Sequence, residues 1–289
     1  RRAPSGSVKR IYGKVKVSPP RTVFLAFCNI RPPTVRSQNF SFFIVHYSSK
    51  ICTFAIQTTH PYMKIGIIVA MDKELVQLKS LLDDSTVERR NNNDFILGRI
   101  GDKDIVLQKC GIGKVNSAIG TVEMLNNYRP DIVVSTGVAG GADDRMDVTD
   151  IVVGTEYCYH DAYCGDECRF GQIMGMPATF RTPAELVDKA VAACDGKAVH
   201  TGLIVSGEWF VDTPNKMRAI IARFPKAVAV DMESCSIAQT CHIYGVPFIS
   251  FRVISDLPLK DTKASQYFDF WARLADNSFT LTKRFIASL

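Results

Sequence analysis

The first 62 residues contain no Asp and no Glu against ten Lys and Arg, and they contain no Met, the first of which is Met63. Net charge predicts attraction to nucleic acid or anionic membrane only where the charge is spread along the chain. Here it is not. Of 35 Lys and Arg and 29 Asp and Glu in all, residues 63–289 hold 25 basic and all 29 acidic side chains, a net charge of −4. The formal +6 of the whole chain belongs to its first fifth, so neither a nucleic-acid partner nor a membrane partner is expected for the rest.

Other absences narrow the function further. No apolar stretch approaches the roughly 20 residues of a membrane-spanning helix. No apolar run follows a short basic N-terminus with a small-residue cleavage site, so a secretory signal is not expected. The nine cysteines are odd in number and contain no C-x-x-C pair, which excludes a complete disulfide framework within one chain and fits a reducing, cytoplasmic setting. Cys158, His160, Cys164 and Cys168 form the one cluster of metal-ligand residue types; it lacks the paired spacing of a zinc site, and no metal is expected. Gly111-Ile-Gly-Lys114 looks like a phosphate loop, but Val115 replaces the magnesium-binding Ser or Thr and Gln108 stands where the first Gly belongs. Asn116 breaks the dinucleotide pattern G-x-G-x-x-G. No G-x-S-x-G elbow occurs. Kinase, ATPase, dehydrogenase and serine-hydrolase readings lose their support.

Residues 1–62 are rich in Ser, Thr, Pro and Arg, and their apolar runs, Thr22–Phe27 and Phe40–Val45, show neither sustained alternation nor helical spacing. They are expected to lie outside the fold. The favoured reading is translation from upstream of a start at Met63, or an artificial addition; a basic targeting extension and a nucleic-acid or membrane arm are the alternatives.

What is present is a globular composition, 46% hydrophobic and 22% charged. From Met63 onward, apolar β-rich runs alternate with helical periodicity, which predicts one α/β domain with a largely parallel sheet covered by helices on both faces. Strands are expected at Lys64–Ala70, Phe95–Ile100, Asp104–Cys110, Asp131–Thr136, Ile151–Glu156, Val199–Ser206, Ala227–Val230 and Phe248–Ser255. Met71, Leu75, Leu78 and Leu82 recur at helical spacing, as do Tyr267, Phe270, Trp271, Leu274, Leu281, Phe285 and Leu289 near the C-terminus. Both stripes read as core.

Such sheets bind ligands beyond the carboxyl ends of their strands. Carboxylates stand there repeatedly: Glu74 after the first strand, Asp231 and Glu233 after Ala227–Val230, and Asp256 after Phe248–Ser255. One carboxylate in a helix's first turn is as readily a partner of the helix dipole. Several at one end of a sheet are what a site with an acid, a base and a diol acceptor would need. The turn Thr136-Gly-Val-Ala-Gly-Gly141 follows a strand, and its glycines let a ligand approach the backbone.

Seven segments in register carry a family resemblance: Met63-Lys-Ile-Gly-Ile-Ile-Val-Ala-Met71-Asp-Lys-Glu74, Cys110-Gly-Ile-Gly-Lys-Val115, Ser135-Thr-Gly-Val-Ala-Gly-Gly141, Tyr159-His-Asp-Ala162, Val205-Ser-Gly207, Val230-Asp-Met-Glu233 and Phe251-Arg-Val-Ile-Ser-Asp256. In order and spacing the chain resembles the methylthioadenosine/S-adenosylhomocysteine nucleosidases of the nucleoside phosphorylase/hydrolase superfamily. The resemblance covers 63–289 and none of 1–62. It implies a three-layer α/β/α sandwich around a mostly parallel mixed sheet. It also implies hydrolysis of an adenine nucleoside thioether in methionine salvage, a homodimer, and no metal or organic cofactor.

Residue by residue, the resemblance implies Glu74 as general base for the attacking water and Asp256 as the acid that protonates adenine N7. Glu233 would accept the ribose hydroxyls, Val211 would read the adenine edge through its backbone, and Phe210 would stack on the base. Met71, Gly140, Met232 and Phe268 would wall the ribose and alkylthio groups, with Arg252 and Ser255 orienting acid and water. Protonating the base neutralises the leaving group, so Asp256 should be protonated or hydrogen-bonded while Glu74 stays ionised, helped by its helix N-terminus. The chain departs from the family at Val138, where many relatives have Ser, at Asp231, where Glu is common, and over Cys158–Met176, the loop by which a partner subunit closes the alkylthio end. The nearest rivals are a purine nucleoside phosphorylase, a hydrolase of another nucleoside such as futalosine, and a non-catalytic nucleoside-binding module.

Overall fold

The protein is described here from a computed structural model. It describes residues 62–194, 198–260, 266–267, 269–270 and 280–289, and, within 1–61, the backbone of four strands. The chain divides into two compact units, Arg1–Tyr62 and Met63–Leu289. In the first, β1 (Ile11–Val17), β2 (Arg21–Phe27), β3 (Phe40–Tyr47) and β4 (Lys50–Gln57) pair antiparallel in chain order. The runs at 22–27 and 40–45, which show no alternation in the sequence, are therefore strands. A pleated ladder needs backbone pairing, and a two-residue pattern appears only where one face is buried and the other wet.

The second unit is built on a ten-stranded mixed sheet. Its strands are β5 (Lys64–Val69), β6 (Asp83–Arg90), β7 (Asn93–Ile100), β8 (Lys103–Lys109), β9 (Ile132–Gly141), β10 (Ile151–Tyr159), β11 (Phe180–Arg181), β12 (Val199–Ser206), β13 (Ala227–Asp231) and β14 (Phe248–Asp256). All eight strands expected from the sequence are present. β6 and β11 are additions: β6 is polar and almost wholly exposed, pairing with β7 alone, so it carries no apolar signal. β5 shows why the central strands read as continuous apolar runs. Ile65, Ile67 and Val69 enter one core cluster and Ile68 the opposite one, so both faces are buried.

Helices cover both faces. α1 (Asp72–Lys79), α3 (Ala184–Ala193) and α6 (Thr280–Ser288) contribute Leu78, Leu186, Ala190, Leu281 and Phe285 to the first cluster. α2 (Lys114–Tyr128) and α5 (Ser234–Tyr244) contribute Met124, Leu125, Ile237 and Cys241 to the second. α4 (Pro214–Arg223) packs Met217 and Ile220 against Val205, Val211 and Val230 in a third. Within the C-terminal stripe, Leu281 and Phe285 are core, while Trp271 and Leu274 lie outside the described residues. Among the described residues no helix is long and apolar enough to cross a membrane.

The sheet departs from an open one. β14 pairs parallel with β9 and antiparallel with β10, while β10, β12 and β13 pair parallel in succession. β13 then meets the last residues of β9, Ala229 opposite Gly141 and Val230 opposite Gly140. The circuit β9–β14–β10–β12–β13 closes on itself. Closure brings the ends of β9, β12, β13 and β14 together beside the end of β5, with which β9 also pairs.

Candidate active site

A cleft opens at those five strand ends, with about 640 Å³ of empty space including its mouth, a size typical of small-molecule sites. Its walls include Glu74 after β5, Val138 and Gly140 of β9, Phe210 and Val211 after β12, Met232 and Glu233 after β13, and Ser255 and Asp256 of β14.

Glu74 is the third residue of α1 and reaches back to the start of its own helix. Its Oε2 accepts hydrogen bonds from the N–H groups of Ala70 (2.9 Å) and Met71 (3.0 Å), and its Oε1 accepts from Val138 N–H across the cleft (3.2 Å). Three backbone donors thus converge on one carboxylate. Burial nonetheless pushes the carboxyl above its ordinary value, and the Arg252 charge and the three N–H groups only partly oppose it. Desolvation, with the group 2% exposed, thus works against the ionised form that the helix N-terminus favours. A carboxyl raised toward neutrality is a better proton acceptor near pH 7. Gly137 makes this arrangement possible, since a methyl group there would strike Glu74 Oε1 and stand 2.8 Å from Arg252 Nη1.

Beneath the cleft lies a buried ion pair. Arg252 Nε donates to Asp231 Oδ2 at 2.7 Å, and Arg252 Nη2 donates to Ser135 Oγ (3.1 Å) and Ser234 Oγ (3.0 Å). Asp231 also accepts from Ser206 Oγ, Ser234 Oγ and the N–H groups of Glu233 and Ser234. A buried pair is tolerable only when its remaining hydrogen-bonding capacity is met in this way. Glu233, two residues on, accepts from Gly113 N–H at 2.9 Å. Burial, then repulsion from Asp231, pushes its carboxyl up to about 7 against the pull of Arg252 and Gly113. The expectation that Arg252 and Ser255 orient acid and water divides accordingly. Ser255 Oγ donates to Asp256 Oδ1 at 2.6 Å, whereas Arg252 is hydrogen-bonded to Asp231 and acts on Glu74 and Glu233 through its charge.

The rim is apolar. Phe210 stands edge-on to Tyr267 with centroids 5.3 Å apart, and Tyr267 Oη donates to Met71 Sδ at 3.6 Å. Of the residues marked in the sequence, Glu74, Asp256, Glu233, Met71, Gly140, Phe210, Val211, Met232 and Ser255 line the cleft; Arg252 lies below it, and Phe268 lies outside the described residues. Sequence reasoning missed Ile112, Trp209 and Tyr267 as wall residues. Tyr267 belongs to the stripe read as core, but it is only half-buried, and its face is the cleft's. Ile112 and Trp209 sit beside a strand-end loop motif and next to Phe210, a placement that could have marked them.

The profile of the phosphorylase superfamily matches residues 64–287. Over 231 residues the chain is 37% identical to a 5′-methylthioadenosine/S-adenosylhomocysteine nucleosidase of Maridesulfovibrio salexigens, covering 78% of this chain and all of that one. Its fold is similar to that of the Neisseria meningitidis nucleosidase of the same name solved with methylthio-immucillin-A, with TM-score 0.74, 33% identity, and 78% and 99% of the two chains covered. It is also similar to a futalosine hydrolase of Helicobacter pylori, with TM-score 0.74 but 27% identity, over 80% and 100% of the two chains. With this extent of match and a cleft built at the same motifs, the chain belongs to the phosphorylase superfamily and, within it, to the methylthioadenosine/S-adenosylhomocysteine nucleosidases.

Proposed function

We propose that this protein hydrolyses the N-glycosidic bond of 5′-methylthioadenosine and S-adenosylhomocysteine, releasing adenine and the 5-thioribose product. The observation that carries the choice of water over phosphate is the position of Glu74. The three N–H groups at the start of α1 and at Val138 would suit an anion, and the chain fills that place with its own carboxylate. A phosphorylase would need the place empty and a cationic clamp beside it. The guanidinium whose charge acts on Glu74, that of Arg252, is already committed to Asp231.

In this reading Glu74 takes a proton from a water as its oxygen bonds to C1′. The C1′–N9 bond breaks, and Asp256, held by Ser255, gives its proton to adenine N7. Glu233 accepts the ribose hydroxyls, and its negative charge stabilises the cationic sugar of the transition state. Phe210 stacks on the base, and the Val211 backbone reads its edge. The rim of Met71, Ile112 and Tyr267 favours a thioether over a charged 5′ group. A binding module would need the diol acceptor alone, and the presence of Glu74 and Asp256 in the same cleft argues against one.

The same reading makes the protein a cytoplasmic homodimer. Ile112, Val115 and Ile119, at and along the start of α2, are 51%, 67% and 52% exposed, an apolar strip that a second copy would cover. Among the described residues Cys110, Cys158, Cys164, Cys168, Cys235 and Cys241 are free thiols, which suits a reducing compartment. Adenine release from methylthioadenosine, measured with and without phosphate and beside futalosine, tests the reading. Release should proceed without phosphate; a strict phosphate requirement, or turnover of futalosine alone, would overturn it.

A further inference from the structure

Of two sequence motifs, Gly111-Ile-Gly-Lys114 and Tyr159-His-Asp-Ala162, the side chains of Lys114 and Asp161 have no part in the chemistry above, and in the fold they meet. Lys114 opens α2, Asp161 follows β10, and Glu208 follows β12. Lys114 Nζ donates to both carboxylate oxygens of Asp161 at 2.9 Å. Asp161 Oδ2 also accepts from Glu208 N–H at 2.9 Å, and Glu208 Oε1 accepts from Lys114 N–H at 2.7 Å. The three residues close a circuit in which each one bonds the other two. It borders Gly113, whose N–H holds Glu233.

The segment that follows, 207–213, has neither helix nor strand to hold it, so its placement depends on such ties. Beneath it sits His160, 2% exposed, with neither ring nitrogen hydrogen-bonded among the described residues. The imidazole packs edge-on to Trp209 with centroids 5.3 Å apart. It also lies so close to Gly207 that any side chain there would collide with it. Gly207 and Trp209 are thus seated on His160, and Glu208 between them is tied to Lys114 and Asp161.

We propose that Asp161, with Lys114 and Glu208, forms a clasp that positions the segment Trp209–Val211, and thereby sets affinity for the purine rather than the rate of bond cleavage. This rests on the reading of Phe210 and Val211 as the groups that meet the base. An exposed ion pair would contribute little. This one is different, because the side chains of Lys114 and Asp161 are 28% and 10% exposed and the carboxylate is shared with a backbone N–H. Burial pushes the Asp161 carboxyl up, yet Lys114 and the Glu208 N–H outweigh it and hold the group below its ordinary value. Asp161 is a positioning residue: it reaches the base only through the segment it holds.

The test compares Asp161→Ala and Asp161→Asn with the parent, using calorimetric binding of adenine together with KM and kcat for methylthioadenosine. Asp161→Ala removes two charge-assisted contacts, so adenine Kd and KM should both rise about 10- to 100-fold while kcat changes by less than about threefold. Asn keeps an acceptor for the Glu208 N–H and should recover most of the loss. Unchanged Kd and KM, or a fall in kcat alone, would overturn the clasp. Should the alanine variant fail to fold, Lys114→Met carries the same test, since its backbone bond to Glu208 persists: KM rises if the clasp is real and stays put if it is not. A parent protein that binds no adenine and releases none would instead count against the proposed function.

Discussion

The floor of the cleft and its rim are made of different material. On the floor, Glu74, Asp231, Glu233, Arg252 and Asp256 are all less than a tenth exposed, and their partners are other groups of the same chain. On the rim, Ile112, Trp209 and Phe210 are 51%, 46% and 43% exposed. The floor is electrostatically complete before any ligand arrives, which is what preorganised stabilisation of a charged transition state requires. The rim gains free energy only when something apolar covers it. Substitutions on the floor should therefore act on kcat and on pH dependence, and substitutions at the rim on affinity and assembly.

The sharpest test of that division is Glu74→Gln and Asp256→Asn. Each should lower kcat for adenine release by about 10²- to 10⁴-fold, the usual contribution of one acid or base, with KM changed far less. Loss in KM alone would erase the distinction between floor and rim. In the parent, the raised Glu74 carboxyl should place the acid limb of kcat/KM above the ordinary carboxylate range, since activity falls as that group takes up its proton.

Glu233→Gln separates function from stability. The native carboxyl sits at about 7 against an ordinary value of 4.5, so the folded state retains a proton that the unfolded chain has lost between those limits. Stability is then fully present below about pH 4.5 and declines as pH rises through 7, by up to about 3 kcal/mol. Gln has no such penalty. The variant should melt higher than the parent at pH 8, lose that advantage by pH 4.5, and bind the ribose diol less well. Thermal melts at both pH values decide it, and a lower melting point at pH 8 would show that Glu233 is not held at the cost of stability.

At the rim, Val115→Asp introduces charge on the exposed strip of α2. If the parent sediments as the proposed homodimer, the variant should sediment as a monomer, with kcat little changed; a parent that is itself monomeric, or an unaltered sedimentation coefficient, would count against this strip as the dimer contact. The smallest effect is expected from deletion of residues 1–62, which lie outside the segment that the family profile matches, 64–287. Activity and folding should be retained, and a chain that no longer folds would show that this unit is structural.

The sheet was largely legible because its central strands are buried on both faces, and Ile65–Val69 or Val133–Val134 can be little else. β6 was not, because the polar run Asp83–Arg90 owes its conformation to pairing with β7 alone. Among site residues, Glu74, Glu233 and Asp256 stood out as carboxylates just past strands. Tyr267 did not, because a helical stripe does not reveal which of its members faces a cleft. The upward shift of the Glu74 carboxyl was also hidden, since the helix N-terminus is visible in sequence and the degree of burial is not.

By itself the sequence determined the alternation of strands and helices, the family, and the residue types available at each strand end, because these depend on local pattern and spacing. Only the tertiary structure decided that β14 bridges β9 and β10 to close the sheet, that Arg252 is hydrogen-bonded to Asp231, and that Glu74 fills its own anion site. It alone also joined Lys114, Asp161 and Glu208 into one circuit. Those outcomes depend on distances between segments far apart in the chain and on how much water each group loses, and neither quantity is written in any local stretch of residues.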